Sequence, residues 1–443
     1  MQSSLPSPVP TTSSEAICPS GSVTAQITVN PSTLLAAFAG VPDPRRRQGK
    51  RFALSAILAL VVVGILSNHL SVLAIAEWGA SQCHDLLKSL DFSGGVTPHQ
   101  STLQRLLRRL DPDAVSQALT SHFALVSTTK APTLPRASQA VAIDGKAQRG
   151  RLAFGSSGCP VHALSAFLHE QGLILAQEPI DSSSAQATEH GSTDVANATE
   201  VADAAKDKLM ADKAEAELSV APDLIKRIDW HGRVLTADAL FCQRSICELV
   251  VGLDGDYLLI VKENQPRLYE DVRLLFDPPP GIALPLEDRR DAKSVDNGHG
   301  RHNDTRHLIA STDLIGYSDW PHLAQVFRHE RTWQEKGQTK REVRYGITSL
   351  PPEVADADRL LALKRGHWQI ENSDHYVKDV TLGEDKSLVH LGNGPSILAM
   401  LRDLALTLLH QTGFRAIASR LRYHSRHPEA AVALLLANPH QNA

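Results

Sequence analysis

Three carboxylates stand where side chains could do chemistry. Asp144 closes a short apolar run at 140–143 and is followed by Gly145 and Lys146. Asp238 closes a second run at 234–237, and Glu371 lies in a polar, aromatic stretch at 364–387. On a helix of 3.6 residues per turn, Glu371 shares a face with His367, His375 and Lys378. Taken alone, that face reads equally well as a solvated polar stripe. Strand ends in a sheet with parallel strands point into the crevice where ligands bind. Acids gathered there repel one another unless a cation neutralises them. Magnesium, or manganese in its place, is hard and prefers oxygen ligands, with waters and phosphate oxygens completing its shell. Two such ions roughly 3.5–4 Å apart can clamp an in-line phosphoryl transfer. Lys378 and His375 could then hold phosphates close by. Spacing alone does not establish this, since a chain with 49 acids places several at strand or helix ends in any case.

The elements that would position these acids follow from periodicity. Residues 1–32 are rich in Ser, Pro and Thr and read as a disordered tail. Residues 33–130 read as an all-helical domain. Leu34, Leu35 and Phe38 make a first short helix, ended by Pro42 and Pro44. The apolar run 52–67 follows a basic cluster. It is shorter than the roughly 20 residues of a spanning helix and too far from the start for a signal peptide. A buried core helix is expected there, and no membrane partner. Leu103, Leu106, Leu107 and Leu110 keep helical spacing, with Ser101 as a cap. Arg105, Arg108 and Arg109 lie off that stripe, as phosphate contacts or as a solvated basic face.

After a linker the period changes, and residues 131–412 alternate strands and helices. Strands are expected at 140–143, 161–168, 173–177, 234–237 and 257–262, with helices at 221–228, 245–251 and 268–276. Such alternation implies a sheet with parallel strands and covering helices. Residues 181–212 read as a low-complexity acidic insertion. Residues 277–350 read as a β-rich insertion with strands at 308–310, 325–329 and 342–347 and a polar loop around 298–307. An apolar helix at 397–409 precedes a basic helical C-terminal tail, 413–443.

Composition bounds the rest. The chain has 443 residues, a net charge of −4 and a pI near 6.6, so any nucleic-acid surface must be local. Five cysteines without paired spacing point to a reducing, cytoplasmic setting without disulfide framework or zinc cassette. His299, His302 and His307 fit no zinc pattern.

The blocks AVAIDGKAQRG, VLTADALFCQRSICELVVGLDGDYLLIVKENQPRLYEDV and GHWQIENSDHYVKDVTLGEDKS, with GNGPSILAMLRDLALTLL, stand in order along the chain. Together they resemble the DDE transposases of the H-repeat-associated (ISAs-type) bacterial insertion sequences. FAGVPDPRRRQGKRFALSAILALVVVGILSN is similar to the domain that precedes the catalytic core in that family. The resemblance implies an α/β, RNase H-like catalytic core with a β-rich insertion. It implies metal-dependent DNA cleavage at terminal inverted repeats and strand transfer into target DNA, with Mg2+ or Mn2+, two ions, as cofactor. DNA would be the partner, bound by a homodimer on paired ends, in the cytoplasm or at the nucleoid.

By matching position, Asp144, Asp238 and Glu371 would be the catalytic metal ligands. Lys146, Gln243, Lys262, Asn264, Gln265, Arg301, Arg306, Trp368, Asn372, His375 and Asp379 also match family positions. Lys146, Lys262, Arg301, Arg306, His375 and Lys378, with Arg105, Arg108 and Arg109, would face DNA. Related enzymes carry a tyrosine-arginine-glutamate-lysine signature. Here its positions hold Lys364, His367, Glu371 and Lys378. A lysine-x-asparagine-glutamate motif is represented only by Lys213 and the acids at 215–217, without the asparagine. A catalytically inactive DNA-binding relic and an RNase H-like nuclease without strand transfer are the alternatives.

Overall fold

The computed structural model describes residues 34–128, 135–147, 162–169, 172–180, 198–281, 286–298, 301–335, 337–368, 370, 375–413 and 416–437. Glu371 and Asn372 lie outside the described residues, as do the side chains of Arg301 and His302.

Helices form one core. They are α1 (Leu34–Ala39), α2 (Leu54–Leu66), α3 (Val72–Ala80), α4 (His84–Ser89), α5 (Gln100–Leu107) and α6 (Pro112–Thr128). Every residue of α2 except Ser55 is buried. A helix apolar on all sides needs neighbours all round. Part of that cover comes from the other end of the chain. Leu398, Leu401, Leu421, Val432 and Leu435 share the core with Ile57, Leu60 and Leu103. The region read as a basic helical tail holds two packed helices, α12 (Ile417–Arg426) and α13 (Pro428–Leu436), which follow α11 (Gly394–Gln411). Ile417 with Leu421, and Val432 with Leu435, recur at helical spacing and bury.

The second core is a nine-stranded mixed sheet in the order β3-β2-β1-β4-β5-β9-β8-β7-β6. Its strands are β1 (Gln139–Ala147), β2 (His162–Leu168), β3 (Leu173–Ile180), β4 (Arg233–Ala237), β5 (Asp256–Val261), β6 (Arg290–Gly298), β7 (Arg301–Ser311), β8 (Gln325–Glu335) and β9 (Gln338–Thr348). β1, β4 and β5 run parallel and the other pairings are antiparallel. β4 and β5 are buried along their whole length, as parallel strands covered on both faces should be. Val141, Leu235 and Leu259 face α7 (Ala198–Lys226), α8 (Arg244–Gly252) and α9 (Pro266–Phe276) through Leu224, Val250 and Leu268. Their neighbours Ala140, Val234 and Leu258 face Leu360 and Leu363 of α10 (Ala357–His367). The period of two therefore divides one run of apolar residues between two helical layers.

Two expectations change. α7 begins at Ala198, well before the helix expected at 221, because its Ala, Glu and Lys content favours a helix. The β-rich insertion extends the sheet of its domain: β9 pairs with β5 and carries the sheet on to β6. β6 itself escapes periodicity because its sequence, RDAKSVDNG, has no apolar alternation. Cross-strand pairs hold it to β7, His307 to Asp291 at 2.6 Å and Arg306 to Asp296 at 2.6 Å. The segment read as a polar loop around 298–307 therefore belongs mostly to β7. At the junction Gly346 is required. A β-carbon there would lie 2.1 Å from the Phe327 ring and 2.7 Å from the Leu259 carbonyl.

Candidate active site at the ends of two parallel strands

The parallel pairing of β1 and β4 sets Ile143 opposite Ala237. The next residues are Asp144 and Asp238, so the two acids leave neighbouring strands at the same level, strands being about 4.8 Å apart. Upstream on the same face lie Ala142, packed with Phe167 and Ile370, and Thr236. The Thr236 hydroxyl lies 3.0 Å from His169 Nε2 and 3.4 Å from His367 Nδ1. Burial drives the pKa of His169 and of His367 down to about 3, so both rings are neutral near pH 7.

Each aspartate is held by its own turn. Asp144 Oδ1 accepts a hydrogen bond from the Gly145 amide at 2.9 Å, and its Oδ2 lies 3.6 Å from His375 Nδ1. Burial, with the charges of Lys378 and Lys146, holds His375 down at about 3. The imidazole is therefore neutral, and its contact with Asp144 is not an ion pair. Asp238 Oδ1 caps a one-turn helix at Ala239–Phe241 by accepting from the Leu240 amide at 3.0 Å. Burial raises the pKa of this carboxyl, against the pull of the Leu240 amide and Lys262.

The amide side chains matched to the family fix that turn. Asn264 donates to the Ala239 carbonyl at 2.6 Å. Gln265 donates to the Cys242 carbonyl at 2.9 Å and to Gln243 Oε1 at 3.1 Å. Gln243 donates to the Leu240 carbonyl at 3.1 Å. The loop after β5 thus sets the position of the acid after β4. Asp238 stands at the rim of a cleft of about 780 Å³, with Lys262, Tyr269, Arg344 and Tyr345 around it. Lys262 is exposed there.

The other candidate cations divide. Lys146 is mostly buried, 2.7 Å from Glu384 and 2.8 Å from Asp379. Lys378, expected to face phosphate, is 2% exposed and ion-paired with Asp403. Glu384, Arg402 and Asp403 are buried around it, so its charge serves the interior. Arg306 likewise turns inward, with Asp296 at 2.6 Å and Asp304 at 2.7 Å. Lys364 is buried beside the Trp368 ring, and Arg365 reaches Asp296 at 2.6 Å. Arg105, Arg108 and Arg109 stay on the surface. There Arg109 donates to the Pro44 carbonyl at 2.7 Å, and the 392–394 loop docks on Arg108 through the Asn393 amide at 3.2 Å.

Sequence reasoning passed over Glu217, on α7. It is 6% exposed, and the only signal for it was the incomplete lysine-x-asparagine-glutamate motif. Among the described residues, no three His, Cys, Asp or Glu side chains stand close enough to hold a metal ion.

Residues 206–408 match the family described as transposase DDE domain, and residues 35–123 match the one described as DDE_Tnp_1-associated. Over these two stretches the chain matches the DDE transposase family. The DDE-domain match takes in Asp238 and Glu371, and Asp144 falls between the two matched stretches. Similar proteins include "Putative transposase YncI" of Escherichia coli O157:H7, 25% identical over 386 residues, 85% of this chain and 87% of that protein. Another is "H repeat-associated putative transposase YhhI" of Escherichia coli K12, 24% identical over 382 residues, 83% of this chain and 88% of that protein. The solved piggyBac transposase synaptic complex with hairpin DNA overlays at a TM-score of 0.39 with 11% identity. It covers 92% of this chain and 78% of that one, a likeness too loose to define the fold.

Proposed function

We propose that this chain is an insertion-sequence transposase that cleaves DNA at terminal inverted repeats and joins the freed ends to target DNA. The observation that carries it is the register of β1 and β4, which brings Asp144 and Asp238 side by side at the ends of parallel strands. The strand order β3-β2-β1-β4-β5, antiparallel then parallel, supports an RNase H-like core extended by β6–β9.

The donor set fits a hard divalent cation. Both ligands are carboxylates and they are neighbours. Asp144 and Asp238 would hold it, with Glu371 as the third ligand. Ile370 and His375, on either side of the segment containing Glu371, both meet β1, at Ala142 and Asp144. When bound, divalent ions polarise the scissile phosphate and activate the attacking oxygen.

The chain's own groups do the rest. The Leu240 and Gly145 amides fix the two carboxylates, and the Asn264 and Gln265 amides hold the turn beneath Asp238. Lys262 and Arg344, on the cleft wall, take phosphate oxygens. Arg105, Arg108 and Arg109 grip the backbone further along the DNA. Two copies would hold the paired ends.

The test incubates labelled DNA ends bearing the flanking inverted repeats with the protein and Mg2+ or Mn2+. Wild type should nick at the repeat boundary, and Asp238→Asn should lose at least about a hundred-fold in rate. Cleavage that ignores the substitution would overturn the proposal.

A further inference from the structure

Glu217 approaches the same strand ends from the α7 side of the sheet. Its carboxylate occupies the space that a side chain at Gly145 would fill. A β-carbon at Gly145 would lie 2.2 Å from Glu217 Oε1 and 2.5 Å from its Cδ. Gly145 is the residue that follows Asp144, so this carboxylate sits against the strand one residue beyond the first acid. Lys213, one turn earlier on α7, is 3.4 Å away, with its side chain 38% exposed. Burial pushes the pKa of Glu217 up against the pull of Lys213, and the charge of Asp238 adds a smaller upward push.

A buried carboxylate beside a second acid is unfavourable unless something cationic compensates. A glutamine would fill the same volume without that cost. We infer that Glu217 is a further carboxylate of the strand-end centre, joining Asp144 and Asp238 in holding a divalent cation. This rests on the metal-dependent reading above and adds a ligand to it. Holding an ion requires the side chains to draw together, because no three described groups are close enough as they stand. Glycine at 145 is what lets Glu217 come this near, so the two positions act as one feature.

The experiment titrates Mn2+ into the full-length protein and follows binding by calorimetry, with thermal midpoints taken with and without the ion. Wild type is compared with Asp238→Asn, Glu217→Gln and Gly145→Ala. Glu217→Gln should weaken Mn2+ binding by about ten-fold or more. It should also raise the midpoint measured without metal, because it removes a buried charge. Partnering Lys213 for structure alone would give the opposite sign, a lower midpoint and unchanged binding. Gly145→Ala should weaken binding too, by displacing Glu217, and it reads the same contact should Glu217→Gln fail to fold. If Asp238→Asn loses Mn2+ while Glu217→Gln and Gly145→Ala bind like wild type, the inference about Glu217 is wrong and the metal centre stands. If Asp238→Asn also binds like wild type, the strand-end centre itself is wrong.

Discussion

At the scale of single residues, burial decides which charges work outward. Lys378 sits at a family position and looks like a phosphate ligand, yet it is sealed against Asp403. Lys378→Ala should therefore cost about 3–5 kcal/mol of stability by leaving a buried carboxylate without its cation, measured by urea unfolding. It should leave the salt dependence of DNA binding in any folded fraction unchanged. Arg105, Arg108 and Arg109 are exposed and should behave oppositely. Each change to alanine should leave stability within about 0.5 kcal/mol and lower the slope of log affinity against log salt by up to about 1. The aspartates could be read from the sequence because a polar residue ends an apolar run there. The fate of Lys378 could not, because its partner Asp403 comes from α11 and only the fold brings them together.

Buried histidines make a pH prediction at the same scale. Burial and nearby cations hold His329 at about 3 in the folded chain, against about 6.5 unfolded. The unfolded chain then binds the proton first, so stability is full above pH 6.5 and is lost as pH falls towards 3. The thermal midpoint should drop between pH 7 and pH 5. His329→Gln should make that drop shallower by about 1.4 kcal/mol per pH unit at most. A drop of equal depth in the variant would show that His329 is not held neutral.

Among elements, the loop after β5 positions the acid after β4. Gln265→Ala removes two hydrogen bonds, to Cys242 and Gln243, and should cost about 1–3 kcal/mol. Because the Asp238 turn loosens, cleavage should fall further than stability does, seen as a lower kcat at an unchanged KM for DNA ends. Equal loss in wild-type-like proportion to the folded fraction would contradict a positioning role. The apolar strands β4 and β5 were plain in the sequence since whole runs are buried. β6 was not, because polar cross-strand pairs hold it, and α7 was shortened because its early turns lack an apolar stripe.

Across the whole molecule, the two ends of the chain share one helical core. Leu421 and Val432 pack into the cluster built around α2, so residues 34–128 should not fold cooperatively without α11–α13. A fragment spanning 34–128 should give poorly dispersed amide resonances, and adding residues 394–437 should sharpen them. The apolar character of α2 was visible in the sequence, but its partners in α11–α13 were not, because they lie more than 300 residues away. The proposed metal centre would likewise be a property of the assembled sheet, in which β1 and β4 meet across an intervening stretch of some ninety residues. Its most direct test exchanges a ligand atom. Asp238→Cys replaces a hard carboxylate with a thiolate that prefers softer ions. Cleavage of labelled inverted-repeat DNA by this variant should be absent in Mg2+ and partly restored in Mn2+. Wild-type cleavage by Asp238→Cys in Mg2+ would show that Asp238 does not bind the catalytic ion.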